Sequence, residues 1–271
     1  MKLSLCIAAH NEETTIHIPL DSAYDFVDEV VLVDGASDDR TVEVAKRYGK
    51  KVRIIPASNE SMFHINKQKA IEQAKGDWIL QLDADEAVSP ELREEIQKII
   101  TNDELRKTNV QNNNGKIRNK NSPHVFAYWI PRKNWFLSRF LTKGGIYPDE
   151  TIRLYRRGAA RFPCKTVHEN VEVEGVVGHL KTPILHYADP TFERYLKRWH
   201  RYNELDARLL IEKGERPCFV CSFFGKPIAT FFNIYICHKG FMDGVPGLIW
   251  AFFSAIRYAA IYFKWWQKQS A

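Results

Sequence analysis

Asp83-Ala84-Asp85-Glu86 places three carboxylates directly after the apolar run Trp78 to Leu82. Two aspartates separated by one small residue at a strand end suit a hard divalent cation. Mg²⁺ or Mn²⁺ takes one or two protein carboxylates and completes its shell with phosphate oxygens and water. One carboxylate would then meet the metal and the other a ribose or a metal-bound water, and the metal would stabilise a departing diphosphate. A lone Asp-x-Asp is common in loops; a buried strand before it and Gly76-Asp77-Trp78 leading into that strand give it weight.

Two further polar clusters follow apolar runs: His10, Asn11, Glu12 and Glu13 after Leu3 to Ala9, and Asp34, Ser37, Asp38 and Asp39 after Glu29 to Val33. In an open α/β sheet, ligands sit outside the carboxyl ends of the strands. Any one cluster could be caps and solvated turns, but three at consecutive strand ends point to a shared site. The first cluster stands where a Gly-rich dinucleotide fingerprint would lie, and the chain has no GxxxxGK[ST] loop, so NAD binding and P-loop chemistry lose support.

The elements that must position these residues read as βαβαβ over the first hundred residues, which predicts a parallel sheet with helices on its faces. Leu3 to Ala9, Glu29 to Val33, Val52 to Ile55 and Trp78 to Leu82 read as buried strands. Glu12 to Tyr24, interrupted near Pro19, Arg40 to Tyr48 and Ile65 to Ala74 read as helices. Ser89-Pro90-Glu91 opens another, with serine as cap and proline in the first turn. Residues 101–122 are polar, hold Asn112-Asn113-Asn114-Gly115 and lack apolar periodicity, so they read as a flexible insertion. Val125 to Ile130 is a predicted strand, Gly144 to Arg157 a turn and strand, Val171 to Gly178 a hairpin, and Thr191 to Lys213 a helix.

Composition bounds the class. Hydrophobic content of 45% and charged content of 27% suit a soluble globular protein, against wholesale disorder or a multispanning membrane protein. A net charge of +6 suits anionic partners such as nucleotides, phospholipid headgroups or nucleic acid without choosing among them. Five scattered cysteines and the lack of a signal-like N-terminus predict a reduced, cytoplasmic setting. Cys218 and Cys221 form a CxxC without a second ligand pair, so they read as free thiols.

From Val245 to Phe263 only Arg257 is charged, and the run approaches the length of a membrane span. Ser254, Arg257, Ile261, Lys264 and Lys268 follow helical spacing and form a narrow polar stripe. Trp250, Trp265 and Trp266 suit an interface, so the segment reads as a helix lying in the membrane plane, with core packing and a true span as alternatives. Gly244, Pro246 and Gly247 read as a hinge before it.

Four stretches, LSLCIAAHNEE, VDEVVLVDGASDDRTVEVAKRYG, NKQKAIEQAKGDWILQLDADE and GGIYPDETIRLYRR, resemble successive motifs of glycosyltransferase family 2. More narrowly, they resemble its lipopolysaccharide core β-1,4-glucosyltransferase-like branch. The similarity is close over residues 1–100, moderate from 125 to about 215, and extends to the aromatic tail, but not to the Asn-rich insertion.

The resemblance implies a GT-A α/β fold over residues 1–215 and a helical, membrane-associating extension over 216–271. It also implies a nucleotide-sugar donor, a divalent cation, inversion at the anomeric carbon, and no nucleic-acid partner. By motif position Ala8, Asn11 and Glu12 would line the nucleotide pocket, Asp34 would contact the base, Asp83 the ribose and Asp85 the metal. Lys69 would sit near the base or diphosphate, or be a solvated helix residue.

Inverting transfer needs a base for the acceptor hydroxyl, usually a carboxylate. The resemblance points to Asp149, with Glu150 second, although proline and aspartate favour turns regardless. Arg153, Arg156 and Arg157 could hold phosphate oxygens, and His168 or His186 could complete the metal shell or serve structure. Trp129, Trp135 and Phe136 could stack on sugar, touch lipid or pack in the core. The expected activity is transfer of a hexose, with UDP-glucose as the donor of choice, to a cell-envelope glycolipid or polysaccharide precursor at the inner membrane face. Transfer to a polyprenyl phosphate, and nucleotidyl transfer, are the competing readings.

Overall fold

The computed structural model describes residues 2–60, 62–111, 124–164 and 171–269. By contact density these divide into two compact units. One comprises the described residues up to Arg132 together with Glu150–His186; the other comprises Lys133–Asp149 and the chain from Tyr187 onward.

The first unit alternates β1 (Leu3–Ala9), α1 (His17–Ala23), β2 (Glu29–Asp34), α2 (Thr41–Lys46), β3 (Val52–Pro56), α3 (Phe63–Gln73) and β4 (Trp78–Leu82). Strands lie in the order β3-β2-β1-β4, all parallel, so their carboxyl ends share one edge. The near-continuous apolar runs of β1, β2 and β4 have a direct cause: both faces are covered. Leu5, Ile7, Val30, Leu32, Leu80 and Leu82 pack into one core. Their alternates Cys6, Val31, Val33 and Ile79 pack into a second core on the opposite face.

After β4 come β5 (Glu86–Val88), α4 (Pro90–Gln111), β6 (Val125–Phe136), β7 (Arg139–Phe140), β8 (Asp149–Arg156), β9 (Ala160–Arg161), β10 (Glu172–Val173), β11 (Val176–His179) and β12 (Ile184–Asp189). β8 runs antiparallel beside β4, and β12 antiparallel beside β5, which makes the sheet mixed. This is the α/β fold of GT-A type. Ser89 caps α4 by accepting from Leu92 N at 3.2 Å, as its sequence predicts.

Several expectations change. Pro19 is buried within α1 and does not interrupt it, because a proline in the first turn removes no intrahelical hydrogen bond. Helix α4 continues through Gln111, so residues 101–111 extend it, while 112–123 lie outside the described residues. Val171 to Gly178 is not a hairpin. β10 pairs with β9 and β11 with β6, and between them Gly175 adopts φ +122° beside the Phe126 ring.

The second unit is built on α5 (Phe192–Glu212), capped by Thr191 Oγ1 accepting from Arg194 N at 3.2 Å. It continues through a helical segment, residues 219–237, centred on α6 (Lys226–Phe232), and ends in α7 (Gly244–Gln269). Its small core joins Phe136, Leu141 and Tyr195 to Trp199, Trp250 and Phe253. Gly244, Pro246 and Gly247 are the first turn of α7, not a hinge: a Cβ on Gly247 would lie 2.0 Å from the Gly240 carbonyl oxygen, so glycine permits the close approach.

The polar stripe of α7 is also spent inside this unit. Arg257 pairs with Asp206 of α5, and Lys264 and Lys268 reach Glu204 at 3.1 and 2.7 Å. These cations therefore pair with α5 carboxylates. Gly240–Gln269 has the length and composition to cross a bilayer.

Candidate active site

At the carboxyl end of β4, Asp83 lies in a buried ionic network. The Lys67 ammonium of α3 contacts Asp83 Oδ1. The Arg153 guanidinium of β8 donates to Asp83 Oδ2 at 2.6 Å, Glu86 Oε1 at 2.7 Å and Gln81 Oε1 at 2.5 Å. Glu86, wholly buried, also accepts from Arg132 at 3.2 Å and, through Oε2, from the Asp83 backbone N–H at 2.9 Å. Burial alone would raise the Asp83 pKa, but Arg153 and Lys67 outweigh it and hold the carboxyl well below its ordinary value. The motif's first aspartate is thus fixed in place as an anion.

Asp85 has a different environment. His186 of β12 brings Nε2 within 3.4 Å of Asp85 Oδ1, across the β5–β12 pairing that sets His186 opposite Glu86. Among the described residues no three His, Cys, Asp or Glu side chains gather into a metal cage. An oxygen-and-imidazole pair fits the cation that the motif implies, since Mg²⁺ and Mn²⁺ usually leave the rest of their shell to phosphate and water.

The other two strand ends form a connected rim. Asn11, at φ +56°, accepts from Asp38 N at 2.9 Å and donates its own N–H to Ser37 Oγ at 3.0 Å. Glu12 N donates to Thr41 Oγ1 at 2.7 Å, and Ala8 pairs with Val33 across β1 and β2. Asp34 is buried; its Oδ2 accepts from Ser37 N at 3.3 Å, while Oδ1 has no hydrogen-bond partner. Asn66 Oδ1 is also buried without one, and the Asn66 amide lies 3.1 Å from where a Cβ on Gly35 would stand. Two orphaned acceptors at one strand end suit a ligand carrying N–H or O–H donors, because an unpaired buried acceptor is costly.

Lys69, expected near the base or diphosphate or as a solvated helix residue, is half-buried, and Lys67 is the lysine that meets Asp83. A helix turns about 100° per residue, so two positions lie on nearly opposite faces, and only the packing of α3 reveals which faces inward. Arg153 and Arg156 also separate. Arg156 pairs with Asp103 and stacks 4.8 Å over Trp78, at the opposite end of β4 from Asp83. Arg157 is exposed. His168 lies outside the described residues. Phe136 is a core residue against Tyr195 and Trp250, while Trp135 clusters with Phe140 and Tyr187. Trp129 stacks with His179 at 6.4 Å.

Asp149, half-buried, opens β8 four residues before Arg153 and accepts from Asn134 Nδ2 at 3.1 Å. Glu150 is exposed and meets His179 Nδ1 at 3.3 Å. The turn leading to Asp149 is anchored by a residue that sequence reasoning missed. Asp243, fully buried, accepts from Thr142 N at 3.0 Å and Lys143 N at 2.8 Å, and Gly144 N donates to His238 O at 2.9 Å. A single aspartate within an apolar tail was the available signal.

With this geometry in place, comparison with known proteins is decisive for family. The pattern of Glycosyl transferase family 2 matches residues 4–162, more than half of the chain. This chain belongs to glycosyl transferase family 2. It is an enzyme that transfers a sugar from a nucleotide sugar. Among family 2 relatives, the lipopolysaccharide core biosynthesis glycosyltransferase LpsC of Rhizobium meliloti (strain 1021) is 25% identical over 269 residues, covering 95% of this chain and 92% of LpsC. An uncharacterized glycosyltransferase of Rickettsia bellii (strain RML369-C) is 27% identical, covering 96% and 86%. In fold, the chain is similar to the mannosyltransferase PcManGT from Pyrobaculum calidifontis, solved with GDP-Man and Mn²⁺, with a TM-score of 0.54 and 13% identity, covering 97% of this chain and 87% of that one.

Proposed function

We propose that this family 2 enzyme adds a hexose, with UDP-glucose as donor, to a cell-envelope glycolipid or polysaccharide precursor at the inner face of the membrane, inverting the anomeric carbon. The observation that carries the donor half is the unequal treatment of the two motif aspartates. Asp83 is consumed by Lys67 and Arg153, whereas Asp85 lies beside a histidine at a strand end. Asp85, with His186, would hold the divalent cation, which when bound supplies positive charge to the leaving diphosphate. Asp34 and Asn66 would accept from base or ribose donors, with Asn11 and Glu12 shaping the rim. Similarity to LpsC along nearly the whole chain supports the acceptor class.

Asp149 would take the acceptor hydroxyl proton on Oδ1 or Oδ2. Asn134 donates to Oδ2, which orients the carboxylate, and the Asp243-anchored turn fixes the backbone before it. Glu150, exposed beside His179, is the lesser candidate.

The test is a panel of UDP, GDP and dTDP sugars scored for diphosphate release with Mg²⁺ or Mn²⁺, with and without a membrane lipid extract. UDP-glucose turnover that requires both metal and extract is expected. Asp149→Asn should lower kcat by about 10²- to 10⁴-fold with UDP affinity retained. Unaltered turnover in that variant would replace the hydroxyl acceptor with a phosphate acceptor such as a polyprenyl phosphate. No metal-dependent turnover of any nucleotide sugar would remove the proposal.

A further inference from the structure

Residues 219–237 carry Val220, Phe224, Ile228, Phe232 and Ile236, one large apolar side chain every four residues. All five are exposed, at 64%, 57%, 68%, 57% and 45%. In an uninterrupted α-helix a row of every fourth residue drifts around the axis by about 40° per step, so across this span it would wander about 160° and wrap halfway round. The segment is not uninterrupted. Wide π-helical turns occupy Cys221–Gly225 and Asn233–Cys237, on either side of α6. Each takes up an extra residue and turns the row back, leaving the apolar side chains on one outward edge. The first wide turn has a local cause in Pro227, which cannot donate to the 223 carbonyl and would clash with it in a regular helix.

The margin of the same surface carries more exposed cations than carboxylates: Lys213, Arg216, Lys226 and Lys239 against Glu212 and Glu215. Of the six lysines and arginines in residues 216–269, Arg257, Lys264 and Lys268 pair with α5 carboxylates, while Arg216, Lys226 and Lys239 are exposed; the one carboxylate of that stretch, Asp243, is buried and bonded to the Thr142–Lys143 backbone and to Arg139. Lys213, Arg216 and Lys226, together with Asp206 and Glu215, line a cavity of about 420 Å³ near the start of the ridge. Lys239 follows the ridge at its far end. Phe241, Met242, Val245 and Leu248 continue the exposed apolar surface into α7.

We propose that the Val220–Ile236 ridge is the surface by which this protein inserts into an anionic lipid bilayer, with Lys213, Arg216, Lys226 and Lys239 at the level of the phosphate headgroups. A bilayer interface accepts a continuous apolar edge beneath a cationic margin. The excess of cations at the margin matches anionic lipid, to which each basic side chain near the surface adds attraction. This deepens the membrane part of the proposed function, and it adds the helical segment before α7 to the lipid-facing surface.

The test is sedimentation of the full chain with phosphatidylcholine vesicles, with and without phosphatidylglycerol. Binding to the anionic vesicles is expected. Phe224→Asp with Ile228→Asp should weaken it by at least about tenfold, since burying one such side chain is worth about that much. The thermal midpoint and UDP binding in Mn²⁺ should stay as in the parent chain. Lys226→Glu with Lys239→Glu should erase the preference for anionic lipid.

A measurement on the unsubstituted chain guards against misfolding. Cys221 and Cys237, exposed beside the two ends of the ridge, should react more slowly with a water-soluble maleimide when anionic vesicles are present. Failure to bind vesicles, equal binding by the Asp variant, unchanged thiol labelling, or a concentration-dependent dimer that the Asp variant abolishes would each overturn the ridge. Absence of UDP binding with vesicle binding intact would instead count against the donor site.

Discussion

The first unit buries charge, and the second exposes apolar surface. At the end of β4, Lys67, Glu86 and Arg153 are buried and Asp83 is partly so, and desolvation opposes the charges of Lys67, Asp83 and Arg153. In residues 219–252, by contrast, Phe224, Ile228, Phe232, Met242 and Phe252 face outward, each at least half exposed. Both arrangements reverse the ordinary rule for a folded chain, and each fits a different kind of external ligand. A preset anionic and cationic frame suits a phosphorylated donor, because the frame need not reorganise when charge moves. An apolar edge suits a lipid interface, because there the exposed side chains leave water.

The sharpest way to break the first half of this contrast is Arg153→Met. It would strand Glu86 and Asp83 without their principal cation, and a loss of about 3–5 kcal/mol is expected in chemical denaturation. A loss below 1 kcal/mol would mean that the network is not the frame described here. Next in size, Asp85→Ala should remove metal-dependent turnover by about 10²- to 10³-fold while leaving the unfolding midpoint nearly unchanged, since the carboxylates that accept from Arg153 are Asp83 and Glu86. Equal turnover would shift the metal elsewhere.

In the second unit, Gly247→Ala would drive a Cβ against the Gly240 carbonyl, and about 1–3 kcal/mol of destabilisation is expected from thermal melts. Glu204→Gln probes the contact between α5 and α7 and should be the smallest effect. Lys268 and Lys264 hold the Glu204 pKa down to about 2 from its ordinary 4.5. A depressed carboxylate adds stability above its unfolded pKa and loses it as pH falls through its folded one. The parent chain should therefore outlast Glu204→Gln by no more than about 1 kcal/mol near neutrality, the gap closing from about pH 4.5 toward pH 2. Paired melts across that range measure it.

Much of the first unit was legible because both faces of its strands are buried. The bounds of β1 and β4 follow from apolar run length alone, and the Ser89-Pro90 cap from local chemistry. Polar residues at three strand ends then marked one edge as the candidate site. The extended β6 and the fate of Val171–Gly178 were not legible, since pairing between distant strands leaves little local pattern. Asn66, Asp243 and Lys67 escaped for the same reason: each acts through a neighbour remote in sequence.

The sequence by itself determined the family, the α/β order and the identity of the motif carboxylates, because buried periodicity and strand-end polarity are local properties of the chain. Only the tertiary structure decided how those groups are used. It set Asp83 among cations and Asp85 beside His186, turned the α7 stripe inward onto Glu204 and Asp206, and left the Val220–Ile236 edge outside. The physical reason is that a charge or an apolar side chain acquires its energy from what surrounds it, and packing between distant segments decides those surroundings.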